Sequence, residues 1–124
     1  MMKSDSAIII KSKDFALRVI KLYTYLKKEK KEYVLSKQLL RSGTSVGANI
    51  RESIYAQSGA DFVHKLSISL KEACESEYWL ELLEESNFVS ANQISDLKEE
   101  SVELQKLLTS IIKTKKSKLK NGGK

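Results

Sequence analysis

The sequence predicts an all-α protein folded as an antiparallel, up-down-up-down four-helix bundle. Three observations favour this fold. The 124-residue chain contains no proline, and only three of its five glycines lie outside the last three residues. Apolar residues recur at spacings of three and four in four long stretches. A fold of many strands needs turn residues that this chain lacks. A chain of this length fits a single domain.

The first helix is predicted over about residues 13–30, where Phe15, Val19, Leu22 and Leu26 form one apolar stripe. Ser12 is expected to cap this helix, since a serine hydroxyl can accept a hydrogen bond from a free amide of the first turn. Residues 1–12 are therefore assigned to an N-terminal extension and residues 13–114 to the bundle.

The second helix is predicted over about residues 36–57, with Ser36 as its N-cap. It contains the run RSGTSVGANIRES, residues 41–53, whose two glycines raise the alternative of a phosphate-binding loop. Such a loop needs the pattern G-x-x-x-x-G-K-[ST] after a strand, and here no lysine follows. The apolar stripe continues through the glycines at the following positions: Leu35, Leu39, Gly43, Val46, Ile50 and Ile54.

Two glycines inside a helix cost roughly 0.8–1 kcal/mol each relative to alanine, so we expect a compensating contact. Gly43 and Gly47 are predicted to allow close approach of a neighbouring backbone or of a large ring. The candidate rings are those of Phe15, Tyr23 and Trp79.

The third helix is predicted over about residues 59–86, capped by Ser58 and with Asp61 in its first turn. Its main stripe contains Phe62, Leu66, Leu70, Ala73 and Leu80. The fourth helix begins with an S-x-x-Q capping box, Ser90 and Gln93, flanked by a hydrophobic staple of Val89 and Ile94. Its stripe is formed by Ile94, Leu97, Leu104, Leu108 and Ile111, interrupted by Ser101.

A second apolar face on the third helix predicts an oligomer interface. It consists of Ile68, Tyr78, Trp79 and Leu82, opposite the main stripe. The alternative is a wide core stripe that includes an amphipathic tyrosine.

A carboxylate within the third stripe predicts a polar network, because an unpaired buried charge is costly. The carboxylate is that of Glu77, and its candidate partners on the second helix are Arg41, Asn49 and Arg51. A network of this kind would fix helix register. A ligand pocket and partial exposure of Glu77 are the alternatives.

The formal net charge of +6 comes from the last twelve residues, which contain six lysines and no acid. Residues 115–124 are assigned to a basic tail, whose KNGGK end lacks the apolar area that ordering requires. Such a run is either a solubilising end or a contact to phosphates or an acidic partner. The candidate nucleic-acid-binding residues are Lys27, Lys28, Lys30, Lys31, Lys113, Lys115, Lys116, Lys118 and Lys120.

No arrangement of catalytic or metal-binding residues emerges, and no cofactor is expected. His64 is the only histidine and Cys74 the only cysteine, neither with partners at triad or ligand spacing. A single cysteine and the lack of a signal or membrane-spanning segment predict a cytoplasmic protein without membrane contact.

Two runs of sequence carry a resemblance to a known family. R-S-G-x-S-V-G-A-N-I-R-E at residues 41–52 and L-K-E-A-x-E-x-x-Y-W-L at residues 70–80 resemble bacterial 23S rRNA intervening-sequence proteins, and the similarity covers residues 14–114. The resemblance implies a small cytosolic four-helix bundle assembled into a homopentameric ring. The similar accessory proteins of diversity-generating retroelements form a basic pentameric barrel, thought to bind nucleic acid and a reverse transcriptase.

Together, these features predict a non-enzymatic homo-oligomer that binds structured RNA or DNA without sequence preference through basic surfaces. By analogy, a partner protein such as a reverse transcriptase is a further expected ligand. The alternative is a protein-binding or structural scaffold without affinity for nucleic acid.

Overall fold

The computed structural model describes residues 3–123, which form four long α-helices and no strand. The helices are α1 (Lys3–Glu29), α2 (Leu35–Ile54), α3 (Gly59–Glu85) and α4 (Ala91–Lys118), and a π-helical turn, Leu119–Gly123, follows α4. Met1, Met2 and Lys124, the outermost residues of the predicted extension and tail, lie outside the described residues.

The helices pack in chain order, and α1 and α4 close the bundle. Connections of four or five residues separate them, so consecutive helices run antiparallel. The contact between α2 and α3 is the most extensive and that between α1 and α4 the least. The prediction of an all-α, four-helix protein is confirmed.

The core is filled by apolar side chains from all four helices. Its largest fully buried members include Phe15, Leu26, Leu39, Ile50, Leu66, Leu80, Ile94 and Leu108. Two residues at the ends of the predicted stripes differ from expectation. Ile54 is exposed because α2 ends there, and Ile112 rather than Ile111 is buried in the last turns of α4.

The predicted start of α1, at about residue 13, is wrong because the helix begins earlier. The helix begins at Lys3, so residues 3–12 are helical, and Ser12 lies inside the helix instead of capping it. Ser12 is buried and its hydroxyl donates to the carbonyl of Ile9 at 3.2 Å. The reason is that Ile8 and Ser12 extend the buried face of Phe15 and Val19 with the same spacing of four and three residues.

Ser36 is not the N-cap of α2 either. Val34 occupies the cap position without a side-chain hydrogen bond, and Ser36 is buried in the first turn, where its hydroxyl donates to the carbonyl of Glu32. The capping group is instead the Glu32 carboxylate, which accepts hydrogen bonds from three amides of this turn. The helix ends at Ile54, three residues before the predicted end.

The starts of α3 and α4 agree with the prediction. The hydroxyl of Ser58 accepts from the amide of Asp61 at 3.0 Å. Ser90 and Gln93 form the reciprocal capping box, with bonds of 3.2 and 2.7 Å, and both members of the predicted staple, Val89 and Ile94, are buried.

The glycine run is helical throughout, as predicted, and of the two predicted contacts the glycines allow the close approach of a neighbouring helix, α1, and not that of a large ring. A Cβ added at Gly43 would lie 2.9 Å from both methyl groups of Val19 on α1. One added at Gly47 would lie 3.3 Å from the hydroxyl of Ser12. The glycines therefore bring α2 close to α1, against a branched side chain and a small polar one.

None of the helices between residues 3 and 123 combines the length and apolarity needed to cross a membrane.

Candidate nucleic-acid interface

The candidate lysines lie at opposite ends of the bundle. Lys27 and Lys28 lie in the last turn of α1 and Lys30 and Lys31 directly after it, whereas the remaining candidates lie in the last turns of α4 and the π-helical turn that follows. Because α1 and α4 are antiparallel neighbours of 27 and 28 residues, the two groups are separated by roughly 35–40 Å at 1.5 Å per residue. One copy of the chain therefore presents two separate basic surfaces, which we call the loop cluster and the tail cluster.

The loop cluster surrounds the connection between α1 and α2. Its four predicted members, Lys27, Lys28, Lys30 and Lys31, are all exposed, and the Nζ of Lys27 lies 5.0 Å from the ring centroid of Tyr23. Lys31 has a left-handed backbone conformation, with φ of 54°. The reversal directs the chain from α1 into α2.

Glu32 fixes this connection from the inside. Its carboxylate is only 7% exposed and accepts hydrogen bonds from the amides of Val34, Leu35 and Ser36 at 3.0, 2.9 and 2.7 Å. Burial by itself raises the pKa of Glu32, but the amide hydrogen bonds outweigh that effect, so the pKa lies below its ordinary value. Glu32 thus stays ionised and occupies the free amides at the N-terminus of α2.

The tail cluster is carried on helix rather than on irregular chain. α4 continues to Lys118, and four of the five predicted lysines are exposed. The fifth, Lys115, is half-buried, with its Nζ 5.6 Å from the ring centroid of Phe62. Leu119 covers Gly59, where an added Cβ would lie 2.6 Å from a methyl group of Leu119, so the start of α3 anchors the end of α4.

Sequence reasoning missed one residue of this surface. Lys106 is exposed and lies seven residues before Lys113, so both fall on the same outward side of α4. Residues 104–124 contain seven lysines and no acid. The absence of acids over this whole segment is the signal that could have extended the candidate surface to Lys106.

Acidic residues are concentrated on a different part of the bundle. Residues 72–103 hold ten of the 16 acids and a single base, Lys98, whereas residues 1–51 hold twelve bases and four acids. The acidic segment forms the second half of α3 and the first half of α4. The molecule thus has a basic α1–α2 side and an acidic region formed by the second half of α3 and the first half of α4.

The polar network predicted around Glu77 is not formed by the expected residues. Glu77 is half-buried and accepts a hydrogen bond from the side-chain amide of Gln105 on α4, at 2.8 Å. Arg41 instead pairs with Glu72, at 3.3 Å, and with Glu75, and Asn49 donates to the carbonyl of Ser45. Arg51 is exposed. The reason is the position of Glu77 around the helix axis: on α3 it faces α4, whereas the expected partners lie on α2.

Buried serines join the helices instead. The hydroxyl of Ser69 donates to the carbonyl of Val46 at 2.8 Å, and the hydroxyls of Ser76 and Ser42 lie 2.9 Å apart, so both pairs link α3 to α2. Ser101 on α4 donates to the carbonyl of Ala73 at 2.8 Å. These bonds are directional, and they connect α3 to both of its neighbours, α2 and α4.

The four predicted interface residues lie on the outer side of α3, but they differ in exposure. Tyr78 is 54% exposed, whereas Ile68, Trp79 and Leu82 are half-buried. The rings of Tyr78 and Trp79 lie 5.3 Å apart, and the indole Nε1 of Trp79 donates to Glu75 at 3.1 Å. Trp79 also packs against the core. The face is therefore partly an exposed apolar surface, as an interface would be, and partly a widening of the core stripe. Tyr78 is its most accessible member.

Groups with catalytic potential are isolated from one another. Burial, and next the charge of Glu77, raise the pKa of the Cys74 thiol, which disfavours its thiolate form. His64 is exposed. Burial also raises the pKa of Glu100, whose Oε2 pairs with Arg18 at 3.2 Å. Among the residues that the structure describes, no three acidic, histidine or cysteine side chains converge as a metal site.

Comparison with known proteins agrees with the resemblance found in the sequence. The family model described as 23S rRNA-intervening sequence protein matches residues 4–110. A crystal structure from Bacteroides thetaiotaomicron, of a protein with unknown function from the S23 ribosomal protein family, is 54% identical and has a TM-score of 0.87. The similarity covers 89% of this chain and 98% of that one. No curated protein matches the chain.

Proposed function

The chain belongs to the family of 23S rRNA-intervening sequence proteins, and from that premise we propose that it is a non-enzymatic oligomer that binds RNA or DNA without sequence preference. The observation that carries the proposal is the tail cluster. It consists of exposed lysines on successive turns at the end of α4 and in the turn that follows, within a run of 21 residues that contains no acid. Such a surface attracts the phosphate backbone of any sequence.

The arrangement favours binding to phosphates over reading of bases. Residues 104–124 contain no arginine, and their only amide side chains are those of Gln105 and Asn121. The Gln105 amide already donates to Glu77 and Ser101, so the segment offers few groups for bidentate contact with base edges. Lysine acts as a mobile point charge on a flexible stem, which suits a non-specific phosphate contact.

We propose further that the chain assembles as a homopentameric ring. Repetition would present five copies of each basic surface, and phosphate contacts that are weak singly would then add along one nucleic acid. The apolar outer face of α3, of which Tyr78 is the most exposed member, supports a contact between copies.

Fluorescence anisotropy of a labelled RNA hairpin and a DNA duplex, over a series of salt concentrations, tests the binding. The informative variant is Lys113→Gln/Lys116→Gln/Lys120→Gln, which keeps Leu119 and Lys115 and thus the anchor of the helix end. The control is Lys13→Gln/Lys21→Gln/Lys71→Gln, which removes the same charge from exposed positions outside both clusters.

We expect the tail variant to bind more weakly, and its plot of log affinity against log salt to be shallower. Each lost phosphate contact reduces the slope by about 0.7–0.9. The control should stay close to wild type. Absence of binding by the wild-type chain at low salt would reject the proposal in favour of a protein-binding or structural scaffold.

A further inference from the structure

We propose that the α1–α2 connection, residues 30–34, is a binding site for unpaired nucleotides, in which Tyr33 stacks on a base and the surrounding lysines contact phosphates. This inference rests on the proposed function and specifies both the class of nucleic acid and the residues that select it. The site lies at the opposite end of the bundle from the tail cluster.

Hydrogen bonds anchor the connection to both α1 and α2. The amides of Lys30 and Glu32 both donate to the carbonyl of Leu26, at 3.2 and 3.0 Å. On the other side, the Glu32 carboxylate holds the first turn of α2, and the hydroxyl of Ser36 donates to the carbonyl of Glu32 at 2.8 Å. The segment is therefore held in one conformation before any ligand binds, which lowers the entropic cost of binding.

This fixed segment exposes apolar side chains. Tyr33 is 54% exposed and Val34 71% exposed, although both immediately precede a helix with a buried apolar stripe. Anchoring by the buried Glu32 directs them outward. An exposed aromatic ring on an ordered backbone provides a flat surface that loses little freedom when a base stacks on it.

The charge of the segment that carries Tyr33, residues 27–37, favours a polyanion as its ligand. Residues 27–37 contain five lysines and two acids, and one of those acids, Glu32, is buried, so the exposed side chains carry five positive charges and one negative. Tyr23 already has the ammonium group of Lys27 near its ring. Among the described residues, no cation or aromatic ring lies over Tyr33 in this way.

The geometry also selects unpaired nucleotides. Bases within a duplex are stacked on one another and present no free face to a side chain, whereas bases in single strands and loops do. The amides at the N-terminus of α2 could otherwise attract a phosphate, but Glu32 already occupies them. Recognition must then come from Tyr33 and the lysines.

The test compares a labelled single-stranded RNA with a blunt-ended duplex of the same length, by anisotropy with the full chain. The variants are Tyr33→Leu, Tyr33→Phe and Tyr55→Leu. Tyr55 serves as the matched control because it is 84% exposed at the other end of the bundle. Circular dichroism confirms that each variant is folded.

We expect Tyr33→Leu to weaken binding to the single strand at least about fivefold, since stacking of one base contributes roughly 1–3 kcal/mol. Tyr33→Phe should retain affinity because its ring is kept. Tyr55→Leu should bind as wild type does, and none of the three should change duplex binding.

Two results would overturn the inference while leaving the proposed function intact. In the first, Tyr33→Leu binds normally while Lys30→Gln/Lys31→Gln weakens binding to single strand and duplex alike, so that the loop contacts phosphates only. In the second, Tyr33→Leu changes the mass in light scattering and leaves affinity unchanged, so that the loop is a contact between copies. If the wild-type chain binds neither nucleic acid, the proposed function itself fails.

Discussion

At the scale of single residues, Glu32 shows how a helix start can be hidden from sequence reasoning. Serine, threonine, aspartate and asparagine are the usual capping residues, so Ser36 was the natural candidate. Glu32 lies before the helix and its carboxylate reaches forward to the first turn, after a chain reversal at Lys31 with a positive φ of 54°. No periodicity in the sequence reports such a local reversal at a lysine.

Replacement of Glu32 by glutamine should destabilise the fold by about 1–2 kcal/mol at neutral pH, because the charge that faces three amides is lost. The lowered pKa of Glu32 means that its contribution is full above the pKa of the unfolded chain. That contribution is lost as the pH falls through the folded-state value. The difference between wild type and Glu32→Gln should therefore shrink below about pH 4.

Urea denaturation at pH 7 and pH 3.5 measures this difference. Glu29→Gln is the control, since Glu29 is an exposed glutamate three residues earlier, and its effect should stay within about 0.5 kcal/mol. An equal cost of Glu32→Gln at both pH values would show that the carboxylate charge is not what caps α2.

At the scale of helices, the two glycines of α2 differ in how closely α1 approaches them. Gly43 faces the two methyl groups of Val19, a buried β-branched side chain with little rotational freedom. Gly47 faces the hydroxyl of Ser12, a small group that can turn away. Only the first glycine is required by the close approach of α1 and α2.

Gly43→Ala should therefore destabilise the protein by about 1–2 kcal/mol, since overpacking costs roughly 1–3 kcal/mol and outweighs the gain in helix propensity. Gly47→Ala should change stability by less than about 1 kcal/mol, because its propensity gain offsets a mild crowding. Thermal or urea unfolding of both variants gives the comparison. Gly43→Ala should also cost less in a Val19→Ala background, and equal costs in the two backgrounds would exclude the proposed clash.

The same helices show what could be predicted and what could not. Periodicity identified all four helices and the caps at Ser58 and Ser90, because both signals are local in sequence. It did not identify the partner of Glu77, because a helical wheel gives the side of a helix but not which neighbour covers that side. The serine contacts between α2, α3 and α4 were missed because their donors and acceptors lie 23 or more residues apart in the sequence.

At the scale of the whole molecule, separation of charge is the dominant feature. The acidic part of α3 and α4 and the basic α1–α2 side are joined within the chain by ion pairs, among them Lys11 with Glu103 at 3.2 Å and Arg41 with Glu72. The sequence revealed both the lysine-rich tail and the lysines around the end of α1. The acidic region became apparent when the topology brought the second half of α3 beside the first half of α4. A ring in which the acidic region of one copy meets the basic side of the next would be electrostatically attractive, and it closes when the rotations between neighbouring copies add up to one full turn.

Tyr78→Lys tests that arrangement without weakening the helix. Lysine at this position lies three residues from both Glu75 and Glu81, so it should support α3 through intrahelical attraction. In a contact between copies, however, it would replace an apolar ring by a charge and repel a basic neighbour. We expect light scattering to show a shift from oligomer toward the 14.1 kDa monomer, with Tyr55→Lys unchanged as the control. An oligomer of wild-type mass for Tyr78→Lys would remove the outer face of α3 from the interface and leave the α1 side as the surface to examine next.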